Sequence, residues 1–188
     1  MNWAVFLDRD GVINEEVTYL SDPESLRLIP GAAVAISMLN RQAIPVIVVT
    51  NQAGVARGYY PESQVAILHQ GLADRLAVED ARIDRFYYCP HHPTEGLPPY
   101  RILCECRKPN PGMLLQAARD FDLDLSRCTL IGDKASDLVA GWRAGCQTIL
   151  VETGYGKQEW LRWSEEFQPQ HIACDVLEAV EWIVSRGV

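Results

Sequence analysis

The sequence has no apolar run long enough to cross a lipid bilayer. Hydrophobic residues make up 48% of its 188 residues, but no stretch approaches the ~18 consecutive apolar residues that a spanning helix needs. The first residues also lack the pattern of a secretion signal, because Asp8, Arg9 and Asp10 interrupt the apolar run of residues 3–7. These absences predict a soluble protein of the reducing cytoplasm.

Positive charge is also scarce. The chain carries 17 Lys and Arg against 25 Asp and Glu, which gives a net charge of -8. Nucleic-acid binding needs a basic surface that displaces counterions from phosphates, so neither a nucleic acid nor a membrane surface is expected as a partner. A small anionic substrate is compatible with this balance if a metal ion and a few Lys or Arg side chains supply local positive charge.

Internal repeats, low-complexity tracts and linker-like segments are absent as well. We therefore expect residues 1–188 to form a single domain that acts as a monomer, with enough length to bury a core without disulfides. The six cysteines are not expected to form a disulfide framework in a reducing compartment. Cys128, Cys146 and Cys174 lie in apolar or helix-like sequence and are predicted to be buried thiols.

Short apolar runs alternate with helical patterns along the chain. The runs at residues 3–7, 46–49, 129–131 and 148–151 show no polar alternation, which predicts buried parallel strands. Apolar stripes predict helices between them, at Val65, Leu68, Leu72 and Leu76, and at Leu114, Leu115, Ala118 and Phe121. This alternation predicts an α/β fold with a doubly wound, mostly parallel sheet.

Two local signals predict where helices begin. Asn110 is expected to cap a helix whose first residue is Pro111. Asp175 with Glu178 resembles a capping box that opens a last helix. Residues 89–111 break the rhythm of strands and helices, and they are expected to form a long ordered loop.

Polar residues follow three of the predicted strands. Asp8 and Asp10 come after the first strand, Thr50 after the second, and Asp133 after the third. Because ligands bind beyond the carboxyl ends of parallel strands, these residues are expected to converge on one site. Taken alone, the Asp8, Asp10 and Gly11 segment is also typical of an ordinary turn or helix cap. Together with Lys108, however, the group supplies the parts that phosphoryl transfer needs.

A second group of residues has the composition of a metal site. Cys89, His91, Cys104 and Cys106 offer three thiolates and one imidazole, which complete a tetrahedral Zn²⁺ and so indicate a structural site. His92 is an alternative ligand to His91, and three reduced loop cysteines without metal are the other interpretation. Bound zinc would order residues 89–110 and place Arg107 and Lys108, which come directly after Cys106, near the site.

Four segments closely resemble the motifs of the haloacid dehalogenase-like phosphatases. They are residues 8–14, 49–52, 107–109 and 131–134, in the order of that family, and the resemblance covers about residues 3–155. The family implies a Rossmann-type fold, here without room for a large cap domain, and catalysis by an aspartyl-phosphate intermediate.

The resemblance also implies roles for individual residues. Asp8 would be the nucleophile and Asp10 the general acid and base, a role that suits a carboxyl with a raised pKa. Thr50 and Lys108 would hold phosphoryl oxygens. Mg²⁺ would be bound by the Asp8 carboxylate, the Asp10 backbone carbonyl and Asp133. Asp137 would orient a metal-bound water or merely favour a helix N-terminus, and the sequence leaves both open.

Within this superfamily the chain resembles two zinc-containing groups. It is similar to the D-glycero-D-manno-heptose 1,7-bisphosphate 7-phosphatases, and less closely to the histidinol-phosphate phosphatases. The resemblance favours His91 over His92 as zinc ligand, and implies a phosphorylated sugar substrate and heptose metabolism. The implied substrate contacts are Asp8, Arg9, Asp10, Glu16, Val17, Thr18, Tyr19, Thr50, Asn51, Gln52, Ala53, Arg107, Lys108 and Lys134.

Two other classes of function are less consistent with the sequence. A non-catalytic zinc-containing binding module would be expected to lack at least one catalytic group, but Asp8, Asp10, Thr50, Lys108 and Asp133 are all present. A nucleic-acid end phosphatase is disfavoured by the acidic balance. The guanidinium group of Arg107 can bind a second phosphate in a bidentate manner, which favours a bisphosphate over histidinol phosphate.

Overall fold

The four predicted strands lie side by side in one parallel sheet. The computed structural model describes residues 2–161 and 168–186, and within them six strands are ordered β3-β2-β1-β4-β5-β6. The strands are β1 (Val5–Leu7), β2 (Val46–Asn51), β3 (Arg85–Cys89), β4 (Thr129–Gly132), β5 (Gln147–Val151) and β6 (His171–Ala173). The α/β class and the parallel sheet are thus confirmed.

Two strands of this sheet were not predicted. They are the edge strands, β3 and β6, which each pair with a single neighbour. The side chains of β3 are mostly half-buried, and β6 has only three residues. Edge strands are not buried on both faces, so they lack the continuous apolar run by which the central strands were recognised.

Helices cover the sheet between successive strands. They are α1 (Ala32–Arg41), α2 (Ala53–Ala56), α3 (Ser63–Ala77), α4 (Gly112–Phe121), α5 (Ala135–Ala144), α6 (Gly156–Leu161) and α7 (Val176–Ser185). Short 3-10 turns at Pro23–Ser25 and Leu125–Arg127 complete the regular structure of the described residues. In that part of the chain, no helix combines the length and the apolar character that crossing a bilayer requires.

The two predicted helix starts lie within one residue of the observed ones, but the predicted cap is found only at α7. Helix α4 begins at Gly112, one residue later than expected. Asn110 does not cap it, because its side-chain amide donates to the Cys104 carbonyl oxygen over 2.9 Å. At α7, Asp175 accepts the Glu178 N–H over 3.0 Å as predicted.

The cysteines outside the predicted metal loop are partly as expected. Cys128 and Cys146 are buried, but Cys174 is exposed, so the prediction for Cys174 was wrong. Cys174 lies just before α7, at the surface, where its N–H donates to the Glu178 carboxylate over 2.6 Å. An apolar neighbourhood in the sequence was therefore a poor guide to burial at this helix end.

The position of β1 in the sheet determines where the site forms. Leu7 pairs with Val48 of β2 on one side and with Ile131 of β4 on the other. The carboxyl ends of these strands therefore lie at the same edge, and the next residue, Asp8, donates its N–H to the Ile131 carbonyl. The predicted convergence of the three polar segments is confirmed.

The core generates a stability prediction. Leu72 of α3 is fully buried, whereas Ile67 on the same helix is 51% exposed. Leu72→Ala should lower the free energy of unfolding by about 2–5 kcal/mol, because it removes packed atoms and leaves a cavity. Ile67→Ala is the matched control and should change it by less than about 1 kcal/mol. Urea unfolding curves measure both, and equal losses would contradict the packing described here.

Candidate active site

A buried lysine lies at the centre of the site. Lys108 is 3% exposed, and its Nζ lies 3.0 Å from Asp8 Oδ1 and 2.5 Å from Asp137 Oδ1. It also donates to the Val49 carbonyl over 2.7 Å. Burial by itself lowers the pKa of Lys108, but the charges of Asp137 and Asp8 outweigh that effect and raise it. The ammonium group is therefore charged at neutral pH.

The backbone around Lys108 is held by Asn51 at the end of β2. The Asn51 amide nitrogen donates to the Lys108 carbonyl over 3.0 Å, and the Lys108 N–H donates to Asn51 Oδ1 over the same distance. Such a pair of bonds fixes both the position and the orientation of the loop. Asn51, predicted to contact substrate, thus also fixes the loop that carries the lysine.

Asp10 is enclosed by hydrogen-bond donors. Arg9 binds both of its carboxylate oxygens, at 2.8–3.1 Å, and is itself 1% exposed. Asn14 donates to Asp10 Oδ1 over 2.9 Å, and Gln52 donates to Oδ2 over 3.1 Å. Burial raises the pKa of Asp10, but these donors outweigh it and hold the pKa below its ordinary value. The raised pKa of Asp10 expected from the sequence is therefore wrong.

Three buried carboxylates form a candidate cation site. One oxygen from each of Asp8, Asp133 and Asp137 lies within 4.8 Å of the others. Burial, with the charges of Asp8 and Asp137, raises the pKa of Asp133 to about 8. Burial likewise raises the pKa of Asp137 to about 6, although Lys108 acts in the opposite direction. Excess negative charge at this point fits a divalent cation.

The surroundings of Asp133 support the same fit. Its Oδ2 accepts the Tyr155 N–H over 2.9 Å, whereas the buried Oδ1 has no hydrogen-bond donor among the described residues and lies 3.9 Å from Lys134 Nζ. Gly11 and Gly154, both with positive φ, pack against this carboxylate so closely that a Cβ on either would overlap it. The backbone is thus packed against Oδ2, which holds the carboxylate in place and leaves Oδ1 as the oxygen that a cation can bind.

Asp137 makes the helix-start contact that was one of the two roles left open by the sequence. Its Oδ2 accepts the Lys134 N–H over 3.0 Å at the start of α5, as a residue of the first helical turn. Its Oδ1 faces Lys108 at the centre of the site. The helix-start role is therefore present, and the side chain also belongs to the cluster that can bind a cation.

The predicted cysteine and histidine ligands form a second cluster. Cys89 Sγ lies 3.5 Å from Cys104 Sγ, which lies 3.3 Å from Cys106 Sγ. His91 Nδ1 lies 3.7 Å from the Cys89 sulfur and 3.4 Å from the Cys106 sulfur. Tetrahedral Zn²⁺ with bonds of ~2.3 Å to sulfur and ~2.0 Å to nitrogen separates its ligands by about 3.5–3.8 Å. The four atoms are close to that spacing.

His92 does not belong to this cluster. Its Nδ1 faces the backbone N–H groups of Thr94, at 3.4 Å, and Glu95, at 3.0 Å. Of the two adjacent histidines, only His91 therefore has its ring nitrogen among the sulfur atoms.

A cavity of about 360 Å³ opens beside Asp10 and Lys108. Twelve of the residues predicted to contact substrate line it: Arg9, Asp10, Glu16, Val17, Thr18, Tyr19, Asn51, Gln52, Ala53, Arg107, Lys108 and Lys134. Asp8 and Thr50, the other two, are not among the lining residues and are only 5% and 1% exposed. The nucleophile candidate therefore lies deeper than the residues that would grip a ligand.

Five lining residues were missed by the sequence analysis: Leu20, Gly54, Tyr60, Ser136 and Tyr155. Leu20, Gly54 and Ser136 lie next to or near predicted contacts, so a wider window around each motif finds them. Tyr60 and Tyr155 lie outside the motifs, and no pattern in the sequence marks them. They reach the cavity only through the fold.

Basic side chains at the cavity are fixed by their neighbours. Arg107 Nη1 donates to the His91 carbonyl over 3.0 Å, which ties it to the cysteine and histidine loop. Lys134 Nζ lies 2.7 Å from Glu16 Oε2 and 4.7 Å from the centre of the Tyr155 ring. Burial lowers the pKa of Lys134, but Asp133, Asp8 and Glu16 together raise it. Both groups thus present positive charge to the cavity.

Several known proteins are similar to this chain. A HAD-hydrolase-like family model matches residues 105–179. The chain is 46% identical to the D-glycero-D-manno-heptose-1,7-bisphosphate 7-phosphatase of Thermosynechococcus vestitus, over 97% of this chain and 96% of the relative. It is 48% identical to the D-glycero-beta-D-manno-heptose-1,7-bisphosphate 7-phosphatase of Rhodopseudomonas palustris, over 76% of this chain and 79% of the relative.

A solved structure is similar over its whole length. The D,D-heptose 1,7-bisphosphate phosphatase of B. bronchiseptica, complexed with magnesium and phosphate, is 32% identical with a TM-score of 0.87. Each chain is covered over 100% of its length.

The raised pKa of Asp133 predicts a pH-dependent stability. Without magnesium, the folded protein keeps a proton on Asp133 up to about pH 8, whereas the unfolded chain releases it near pH 4, so folding weakens as pH rises through that window. Asp133→Asn removes this effect and should raise the urea midpoint more at pH 8 than at pH 5.

Magnesium provides the control for this measurement. At pH 8 added Mg²⁺ should raise the urea midpoint of the unmodified protein and have little effect on Asp133→Asn, because the ion binds the ionised carboxylate. If Asp133→Asn raised the urea midpoint equally at pH 5 and pH 8, the raised pKa assigned to Asp133 would be contradicted.

Proposed function

The chain belongs to the haloacid dehalogenase-like D-glycero-D-manno-heptose-1,7-bisphosphate 7-phosphatases, and we propose that it hydrolyses the 7-phosphate of D-glycero-D-manno-heptose 1,7-bisphosphate. It is a phosphoric monoester hydrolase, as are the relatives with that name. The observation that carries the proposal is the buried Lys108 ammonium between Asp8 and Asp137, at the base of a cavity lined by further basic groups.

Asp8 is proposed as the nucleophile. One of its oxygens, Oδ1, is held by the Arg9 N–H at 2.7 Å and by Lys108, which leaves the other to attack phosphorus. Attack forms an aspartyl-phosphate and breaks the bond to the sugar oxygen, and water then hydrolyses the intermediate. Lys108 and the Thr50 hydroxyl would stabilise the charge that develops on the phosphoryl oxygens.

Asp10 is proposed to move the protons. It would protonate the leaving sugar oxygen in the first step and accept a proton from water in the second. Burial raises the pKa of Asp10, but Arg9, with the hydrogen bonds from Asn14 and Gln52, outweighs burial and holds that pKa low. The negative charge of a bound phosphate acts in the opposite direction, so substrate binding favours the protonated form that the first step requires.

Mg²⁺ is the cofactor that fits the carboxylate cluster. We propose that Asp8, the Asp10 backbone carbonyl and Asp133 hold it, in keeping with the buried Asp133 Oδ1, for which the described residues provide no hydrogen-bond donor. When bound, the ion would neutralise the repulsion between anionic Asp8 and an anionic phosphate. Asp137 and Lys108 would keep the arrangement of carboxylates fixed around it.

Arg107 is proposed to select the bisphosphate. It lines the cavity, and one of its N–H groups donates to the His91 carbonyl. The described residues show no other acceptor for its guanidinium group. The remaining N–H groups can bind a second phosphate in a bidentate manner, which the cationic amine of histidinol phosphate cannot use. The other proposed contacts are the lining residues of the 16–19 and 51–53 segments and Lys134.

Zn²⁺ is the proposed occupant of the cysteine and histidine cluster. Its four ligands would fill the coordination sphere, so its role would be structural. Lys108 follows Cys106 by two residues, so ordering the loop also orders the lysine. We further propose a monomeric, single-domain enzyme of the cytoplasm, where the thiols remain reduced for zinc and the partner is a small phosphorylated sugar.

The substrate assignment predicts a large preference in kcat/KM. The 1,7-bisphosphate should be hydrolysed at least tenfold more efficiently than histidinol phosphate, because only the bisphosphate uses the Arg107 fork. Phosphate release and ³¹P NMR of the product measure the rate and identify the phosphate that leaves. Assaying both anomers of the sugar defines the preference at C1.

Two variants test the roles behind this preference. Asp8→Asn should reduce turnover to background while the far-UV circular dichroism spectrum is unchanged. Arg107→Lys keeps the charge and loses the fork, so it should reduce kcat/KM for the bisphosphate by about tenfold and leave histidinol phosphate hydrolysis nearly unchanged. Equal or better hydrolysis of histidinol phosphate by the unmodified enzyme would refute the substrate assignment.

The zinc assignment predicts about one zinc ion per purified chain. Cys104→Ser and Cys106→Ser should each lower the zinc content measured by plasma mass spectrometry and make residues 90–110 more sensitive to proteases. Cys174→Ser is the control, because Cys174 is exposed and lies outside the cluster. Purified protein without zinc would refute the proposal.

A further inference from the structure

The side chain of Gln52 connects two groups of the active site. Its Nε2 donates to Asp10 Oδ2 over 3.1 Å and to Thr50 Oγ1 over 2.9 Å. Gln52 is 3% exposed, so water competes little for these bonds. An ionised carboxylate only accepts hydrogen bonds. The amide nitrogen must therefore face Asp10, and the amide oxygen faces the other way.

That amide oxygen is satisfied by Tyr60. Tyr60 Oη donates to Gln52 Oε1 over 2.9 Å. Burial raises the pKa of Tyr60 to about 12, so the hydroxyl keeps its proton at neutral pH. Without this donor the amide oxygen would be a buried acceptor lacking a partner in the described structure, which disfavours the observed orientation of Gln52.

The position of Tyr60 is itself fixed by packing. Its ring contacts Val55 and Val65 in a small apolar cluster separate from the main core. It also lies against Gly54, where any Cβ would overlap the ring atoms. The hydroxyl group is thus held at one point beside Gln52, because the ring has little room to move.

Building on the proposed phosphatase activity, we propose that Tyr60 is a positioning residue that acts through Gln52 on both Asp10 and Thr50. The hydrogen bond to Asp10 fixes the position of one oxygen, Oδ2, of the proton-transferring carboxyl. The bond to Thr50 occupies a lone pair of its hydroxyl, which leaves the hydroxyl proton to be donated to a phosphoryl oxygen. One phenol therefore organises both the proton transfer and the binding of the transferred group.

Tyr60→Phe tests this role because it removes only the hydroxyl. We expect kcat for the heptose bisphosphate to fall about tenfold, as for the loss of one buried hydrogen bond, with KM changed less than about twofold. The fall should be smaller for p-nitrophenyl phosphate, whose leaving group needs no proton from Asp10. Equal falls for both substrates would show a general structural defect and overturn the proposal.

A double-mutant cycle identifies the route of the effect. Gln52→Met keeps the length of the side chain and removes the amide, so it should lower kcat at least as much as Tyr60→Phe. Adding Tyr60→Phe to Gln52→Met should then cause no further loss, because the phenol acts only through the amide. Additive losses would overturn the proposal.

Tyr100→Phe is the matched control. It removes a phenol hydroxyl that donates to Glu62 over 2.8 Å and has no bond to Asp10, Thr50 or Gln52 among the described residues. Its kcat should equal that of the unmodified enzyme. A loss matching that of Tyr60→Phe would overturn the proposal.

A crystal structure of Tyr60→Phe provides a readout independent of turnover. The Gln52 amide should turn away from Asp10, and an unchanged Gln52 to Asp10 bond would overturn the positioning role. If the unmodified enzyme fails on heptose bisphosphate, the proposed substrate is refuted. The positioning role is then decided by this structure and by the cycle on p-nitrophenyl phosphate.

Discussion

The site depends on one buried positive charge. Three carboxylates, from Asp8, Asp133 and Asp137, lie together in the interior, and such a group is unstable without a counter-charge. The Lys108 ammonium pairs with two of them. The raised pKa of the third, Asp133, shows that the lysine does not offset all of the negative charge of the group, so this carboxyl keeps its proton unless a cation binds. Lys108 and a bound divalent cation would therefore together neutralise the three carboxylates.

Two separate structural features position Lys108. Asn51, at the end of β2, binds the lysine backbone through two hydrogen bonds. On the other side, the chain leaves the cysteine and histidine cluster at Cys106, two residues earlier. An irregular loop has few apolar contacts to define its path, so fixed points on either side of the lysine take over that task. The geometry of the cysteine and histidine cluster and that of the candidate active site are thus coupled through a short segment.

Sequence reasoning found the parts of the site whose signals are local. Asp8, Thr50 and Asp133 follow recognisable buried strands, so a parallel sheet brings them to one edge, and the spacing of the cysteines defined their cluster. The pKa of Asp10 was misjudged because Arg9, its chain neighbour, folds back to bind it. Asn110 is of a residue type that often caps helices, but its side-chain amide binds the Cys104 carbonyl in the loop instead. Tyr60 carries no local signal, since its contact with Gln52 exists only in the folded chain.

The overall charge of the chain and the net charge of the cavity lining have opposite signs. A net charge of -8 disfavours polyanions, which contact an extended surface. The cavity, however, is lined by four cationic side chains, Arg9, Arg107, Lys108 and Lys134, and by only two acidic ones, Asp10 and Glu16. Water and salt screen charges beyond about 8–10 Å, so a small ligand inside responds to this local cationic excess more than to the distant acidic surface. Net charge thus disfavours an extended anionic partner, and the cationic excess in the cavity favours a small anionic ligand.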